Sequence, residues 1–193
     1  PPYIKRDSVP EDKEQYQTVF ARQDGSVAAP TAGLHFTEEL LEKIKAKGIK
    51  IVPVILHIGL GTFRQVEVED LTKHKMDSEF FEITEESAAM VNKAISSKKN
   101  IFVVGTSSTR ALESSVTAEG FVKANKGWTD KFIFPPYEFK ITKSLITNFH
   151  MPESTLLMLT SAFCDYEILM KAYKKAIKED YRMLSYGDAM LIL

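Results

Sequence analysis

The chain has 193 residues, enough for one domain with a sizeable core. Its 44% hydrophobic and 26% charged content excludes a disordered polymer, and a net charge of −1 excludes a global field that draws it to nucleic acid. No apolar run is long enough to span a bilayer and no signal peptide is visible, while a single cysteine, Cys164, excludes an internal disulfide and fits a reducing compartment.

In chain order, the first 13 residues are rich in proline and charge and read as a connector. The chain starts on Pro1-Pro2-Tyr3 without methionine, so a fragment or a missing front part is expected. Residues 14–21 fit helix or strand, and residues 23–25 mark a turn. Thr37 is an N-cap for a helix through Lys47, with Leu40, Leu41 and Ile44 on one face and Gly48 as its stop. Residues 49–58 read as a strand buried on both faces, because they are apolar almost throughout. Thr84 caps a helix through Ser97, with Met90, Val91, Ala94 and Ile95 inward. Residues 101–104 are a short buried strand, and a helix follows over 109–116.

Residues 121–129 are polar and loop-like, whereas 132–134, 139–141 and 144–149 look like strands. Two helices come next. Residues 156–163 are too apolar to be anything but buried, with Cys164 as a small core residue at their end. Residues 166–178 are amphipathic, with Ile168, Leu169, Ala172, Tyr173, Ala176 and Ile177 inward and the lysines outward. Residues 190–193 form a last strand. Strands alternating with helices predict an α/β fold, barrel-like or open, with a largely parallel sheet and helices outside.

The unusual polar residues fall where strands end. His57-Ile58-Gly59-Leu60-Gly61-Thr62-Phe63-Arg64 follows the first strand, Gly105-Thr106-Ser107-Ser108-Thr109-Arg110 the second, and Asn148-Phe149-His150-Met151-Pro152-Glu153-Ser154-Thr155 a third. Ligands of α/β folds sit at the carboxyl ends of strands, so three such loops point to one shared pocket. The Gly59 and Gly61 pair permits close backbone approach, although Arg64 stands where a dinucleotide fingerprint needs a third glycine. The Gly105 loop offers hydroxyls and a helix N-terminus for an anion or a ribose. Arg110 adds a fork for carboxylate or phosphate, unless Glu113, three residues on, simply pairs with it at the surface. In the last run an amide, an imidazole and a carboxylate gather in a buried turn, either to cap a helix or to hold a substrate.

Residues 30–37 read Pro-Thr-Ala-Gly-Leu-His-Phe-Thr, small enough to leave backbone open to a ligand. His35, just before an N-cap, is favoured in its neutral form by the helix end. His57 fits a core position equally well, and His74 lies in a solvated charged run. Tyr186-Gly187-Asp188 makes a turn whose aspartate binds a ribose hydroxyl or caps backbone amides. No Cys/His set has zinc spacing.

Together these stretches resemble one family, the S-adenosylmethionine:tRNA ribosyltransferase-isomerases of queuosine biosynthesis. The matching segments are Tyr3 to Arg6, Tyr16 to Ala21, Ser26 to Thr37, Leu56 to Phe63, the Glu79 region, Gly105 to Glu113, Gly127 to Asp130, Leu145 to Phe163 and Tyr181 to Ile192. They run in family order from end to end. Two positions depart from the family pattern: Asp77 stands where a histidine is usual, and Pro136 where a glycine is usual.

The resemblance implies a catalytic α/β domain over residues 1–193, incomplete at its N-terminal side, with 1–13 as connector and the family's small inserted β domain absent. It implies S-adenosylmethionine as a ribosyl donor substrate, no permanently bound cofactor, no metal, and a cytoplasmic monomer. It implies a tRNA partner carrying an aminomethyl-deazaguanine at the wobble position. The product is epoxyqueuosine, with adenine and methionine released. A proton leaves the ribose carbon beside the sulfonium, so a base is needed, and adenine departs more easily with an acid. Candidates are His35, His57, His150, Glu153 and Asp188, with His35 or His150 preferred.

Donor binding falls to Thr31, Gly33, Phe36, Gly59, Gly61, Thr62, Thr106, Ser107, Glu113, Asn148 and Tyr186, with Arg110 on the methionine carboxylate. Phe36, Phe63, Phe149 or Tyr186 can face the sulfonium. Lys5, Arg6, Lys73, Lys75, Lys98 and Lys99 are candidates for a phosphate track. Two rival readings stay open: a truncated, non-catalytic nucleotide or tRNA binder, and a different S-adenosylmethionine-dependent transferase such as a methyltransferase.

Overall fold

The computed structural model describes residues 3–193, so Pro1 and Pro2 of the expected connector lie outside the described residues. Six helices, α1 (Asp12–Gln15), α2 (Glu38–Ala46), α3 (Glu85–Ser96), α4 (Thr106–Ser114), α5 (Thr155–Phe163) and α6 (Tyr166–Lys178), accompany six strands. These are β1 (Ile55–Leu56), β2 (Glu79–Ile83), β3 (Phe102–Val104), β4 (Asn125–Thr129), β5 (Ser144–Asn148) and β6 (Ala189–Ile192). Short 3-10 turns cover Thr31–His35, Leu60–Phe63 and Leu71–Lys73.

The strands form two open sheets of three, in the orders β1-β2-β4 and β3-β5-β6. The first is wholly antiparallel, with Phe81 opposite Gly127 and Leu56 opposite Phe81. In the second, β3 and β5 run parallel, with Val103 opposite Leu145, while β6 runs antiparallel to β5. This corrects the expected barrel-like or largely parallel sheet: one pairing is parallel and neither sheet closes. The expectation assumed strands buried on both faces, which parallel sheets require. Instead β2 alternates buried with half-buried residues, and Phe102 of β3 and Leu191 of β6 are 49% and 53% exposed.

Three further corrections share a physical cause. Residues 121–129 hold strand β4, whose outward Lys126 and Trp128 face solvent, so an edge strand reads as polar. Residues 132–134 and 139–141 are not strands; Ile133 and Ile141 are each 1% exposed, and they fill the core from irregular backbone. Of the predicted strand over 49–58, Ile55 and Leu56 alone pair, and Ile49 and Ile51 are exposed. The expected turn at residues 23–25 is irregular backbone with no turn, and Gly25 takes a positive φ of 141 that favours glycine.

Helix ends follow local chemistry. Thr37 accepts from the Leu40 amide, Thr84 from Ser87, Ser154 from Leu157 and Asp165 from Ile168. On α6 the buried stripe narrows to Leu169, Tyr173 and Ala176, leaving Ile168 and Ile177 in solvent, which corrects their inward placement. Helix α4 packs against β1, β2, β3, β4 and α5, with Thr109 and Ala111 fully buried, so it lies inside rather than outside the sheets. The main core joins Phe81 and Ile83 of β2 to Val91 of α3, Val103 of β3 and Leu112 of α4. Smaller clusters seat α6 on Phe149 and α5 on Leu145. Among the described residues no helix is long and apolar enough to cross a membrane.

Candidate active site

Helix α4 starts on Gly105, whose φ of +86 is a conformation that side-chain-bearing residues rarely adopt. That turn carries the chain from β3 straight into the helix, and no side chain caps the first turn. Gly105, Thr106 and Ser107 of this first turn line a cleft. Helix α5 brings its own N-terminus, Ser154 and Thr155, to the same place. Between them lies a cleft of about 440 Å³, well within the range of small-molecule sites.

All three strand-end loops reach this cleft: Thr62 and Phe63 from the first, Gly105 to Ser107 and Arg110 from the second, Asn148 to Met151 from the third. Thr31 and Ala32 close one side, and Tyr3 and Tyr16 cover another. Among the described residues no cluster of His, Cys, Asp or Glu could hold a metal ion.

A buried ion pair fastens the loops together. Glu79 on β2 and Arg110 on α4 meet with side chains 3% and 7% exposed. The Glu79 carboxylate also accepts the Gly59 amide at 2.7 Å and the Thr62 hydroxyl at 3.2 Å. Arg110 donates Nε to the Lys131 carbonyl at 3.0 Å and Nη2 towards that of Thr129 at 3.5 Å. The Arg110 fork is thus largely spent on protein groups, although its edge lines the cleft. Glu113 does not pair with it. This carboxylate, also buried, accepts amides of Lys140, Ile141 and Thr142 at 3.0 to 3.1 Å and pins that irregular segment.

Asn148, 2% exposed, does the same on the opposite wall. Its Oδ1 accepts from the Thr31 hydroxyl at 3.1 Å, while Nδ2 donates to the carbonyls of Leu184 and Gly187. His150 sits deeper. Its Nε2 lies 2.7 Å from the Thr147 hydroxyl and its amide donates to Tyr173 Oη at 2.8 Å. Burial pushes its imidazole down to about 4, so the ring is neutral at pH 7.

Several sequence candidates lie beside the cleft rather than on it. His57 turns away from Leu56 and Ile58, which line the cleft, and stacks on Phe80 at 5.2 Å. Gly59 and Gly61 shape the loop: a Cβ on Gly61 would sit 2.3 Å from Asp77 Oδ2. Asp77 thus packs on that loop and pairs with Arg64 at 3.4 Å. Gly33 is buried where a Cβ would strike Thr18 and Phe20. His35 is exposed, Phe36 half-buried, and neither lines the cleft.

Glu153, exposed at φ 58, joins the first and third loops through its carbonyl, which accepts the Val66 amide. Asp188 accepts from the Arg182 amide at 2.8 Å, and Arg182 holds it below the usual carboxylate range. Tyr186 packs against Tyr16, ring centroids 5.5 Å apart and tilted by 60°. Pro136 lies in a bend after a cis bond from Pro135.

Sequence reasoning missed Glu79, Tyr3, Tyr16, Ser185 and Lys131 as site residues. For Glu79 a signal existed: an acid inside the alternation Glu79-Phe80-Phe81-Glu82-Ile83 falls on the buried face and demands a partner. Tyr3 and Tyr16 both reach the Ser185 hydroxyl, contacts between opposite ends of the chain.

This geometry defines an open α/β domain whose strand-end loops and two helix N-termini surround a small-molecule cleft. A family model described as "Queuosine biosynthesis protein" matches residues 1–192. The chain is 59% identical over its whole length to an S-adenosylmethionine:tRNA ribosyltransferase-isomerase of Cytophaga hutchinsonii, covering 56% of that protein. It is 57% identical to the protein of that name from a Sulfurihydrogenibium species, again covering 56% of it. A crystal structure of S-adenosylmethionine tRNA ribosyltransferase from Thermotoga maritima aligns with a TM-score of 0.67 at 39% identity, over 84% of this chain and 51% of that one. The chain belongs to the S-adenosylmethionine:tRNA ribosyltransferase-isomerase family. It spans about half the length of the curated relatives it matches.

Proposed function

We propose that the cleft binds S-adenosylmethionine and that this protein transfers and isomerises its ribosyl moiety onto the aminomethyl-deazaguanine of a tRNA wobble position. Epoxyqueuosine forms, and adenine and methionine leave. The observation that carries the reading is the meeting of three distant polar loops at one cleft, in a chain matched by the family over its full length. Residues 1–193 serve as the catalytic α/β domain, working in the cytoplasm where tRNA is modified.

The donor's methionine carboxylate lies against the uncapped first turn of α4, where amides of Thr106 and Ser107 and the helix dipole favour an anion. Arg110, one turn further on, is neutralised by Glu79 and ties α4 to the Lys131 segment of the cleft wall. The sulfonium faces the aromatic rings of Phe63 or Phe149, both on the cleft wall. Asn148 fixes Thr31 so that its loop can hold ribose or adenine groups.

Of the five candidates for proton transfer, His150 is the one that lines the cleft. Its ring is neutral, and with Nε2 held by the Thr147 hydroxyl the nitrogen left to accept a proton is Nδ1. His35, His57, Glu153 and Asp188 support the surrounding loops in this reading. No water-filled route or metal is required: the sulfonium itself acidifies the neighbouring carbon.

Incubation with S-adenosylmethionine and tRNA bearing the precursor base tests the proposal. Adenine plus methionine is the expected outcome. Adenosylhomocysteine would mean methyl transfer, and neither product would leave a binding protein; both results contradict the proposal. His150→Ala is expected to cut adenine release by roughly 10²–10⁴-fold, the usual worth of a positioned base.

A further inference from the structure

The solvent face of the antiparallel sheet carries an aromatic row that the cleft does not use. Trp128, the chain's one tryptophan, is 70% exposed on β4. Phe80 pairs with it across the ladder, ring against ring at 5.9 Å in a T shape. His57 stacks on Phe80 from the next strand over, with an interplanar angle of 25°. Lys126 holds its ammonium 5.7 Å above the Phe80 ring.

Around the free edge of β4, on the α4-facing side of the sheet rather than the side of the Trp128 ring, lies a shallow depression of about 360 Å³. Its floor is hydrogen-bonding rather than greasy: Ser114, Asn125, Thr129 and Asp130 line it. Lys131 and Phe132 belong both to this depression and to the cleft, so the two hollows share a wall. His74 packs on Phe132 at 4.8 Å, so the segment that carries Lys73 and Lys75 runs past this wall. Lys126 and Lys73 meet Glu82 at 3.1 Å and Asp70 at 3.6 Å, but both ammonium groups stay mostly in solvent and can exchange partners.

The exposed Trp128 ring, with polar groups and flexible cations around it, suits unpaired nucleobases strung on phosphates. An aliphatic protein partner would instead want an apolar floor. We infer that the Trp128 face stacks unpaired bases of an RNA loop that passes over the free edge of β4 to the Lys131–Phe132 wall shared with the cleft. The inference rests on the tRNA reading above and adds to it the surface that holds the loop.

Because Trp128 is unique, its fluorescence reports occupancy directly. The chain is titrated with a labelled RNA hairpin carrying an unpaired loop, and separately with a continuous duplex of the same composition. RNA anisotropy and tryptophan emission are read together. The hairpin is expected to bind and quench Trp128, and the duplex to leave it bright. Trp128→Ala, with its fold checked by circular dichroism, is expected to weaken hairpin binding on the order of ten- to a hundredfold and leave S-adenosylmethionine affinity unchanged. A hairpin that binds without quenching, or a Trp128→Ala variant that binds like the parent, overturns this inference and leaves the cleft untouched. Emission that shifts with protein concentration alone means a second copy covers the face, and also overturns it. A chain that binds no RNA at all overturns both this inference and the tRNA reading.

Discussion

Replacing Glu79 by glutamine keeps the shape of the side chain and removes its charge. The amide can still accept from the Gly59 amide and the Thr62 hydroxyl, now at 2.7 Å and 3.2 Å from the carboxylate. What it cannot do is neutralise Arg110, whose side chain is 7% exposed and has no other acidic partner among the described contacts. Breaking a buried pair from one side costs about 3–5 kcal/mol, because a charge is left buried without compensation. For a domain of this size each kcal/mol lowers Tm by about 2–4 °C, so a fall of roughly 6–20 °C is expected. Differential scanning calorimetry with urea unfolding reads it. The double variant Glu79→Met/Arg110→Met should recover much of the loss, since no charge is then stranded. A Glu79→Gln chain as stable as the parent would refute the account of how the loops are fastened.

Three further outcomes follow from the same contacts. The unfolded chain binds a proton at His150 below about 6.5 and the folded chain below about 4, so stability is full above 6.5 and declines as pH falls between those values. The loss is about 3 kcal/mol at most, and urea midpoints measured at pH 7 and pH 5 should show it in the parent and much less in His150→Asn. Glu113→Leu strands the amides of Lys140, Ile141 and Thr142, and should cost about 2–4 kcal/mol; hydrogen exchange should lose protection at those residues first. Asn148→Ala frees the Thr31 hydroxyl and two carbonyls, destabilising by about 1–3 kcal/mol. Calorimetric titration should then show weaker S-adenosylmethionine binding, since Thr31 lines the cleft.

Local chemistry was legible in the sequence and long-range pairing was not. Thr37 and Thr84 announced their helices because a cap acts within three residues, and both accept the expected amides. The strand over 144–148 and the buried helix after it were visible from apolarity alone. The meeting of three loops was also foreseen, from the rule that ligands sit at strand ends, and Thr62, Arg110 and His150 share one cleft. Sheet direction was misread because apolar runs such as 49–58 were taken for doubly buried strands, when Ile55 and Leu56 pair and Val52 and Val54 pack on one core without pairing. Strand β4 escaped because an edge strand with one wet face has no apolar alternation to detect. Arg110 looked like a free fork because its acid lies in a different element, and nothing in the spacing of Glu113 revealed that its partners are backbone amides.

A structure of the chain with S-adenosylmethionine bound decides the central question most directly. The account predicts the carboxylate at the first turn of α4, beside Thr106 and Ser107, and the ribose within reach of the His150 imidazole. A donor held elsewhere on the surface, or a cleft that stays empty when the nucleoside is saturating, would contradict it.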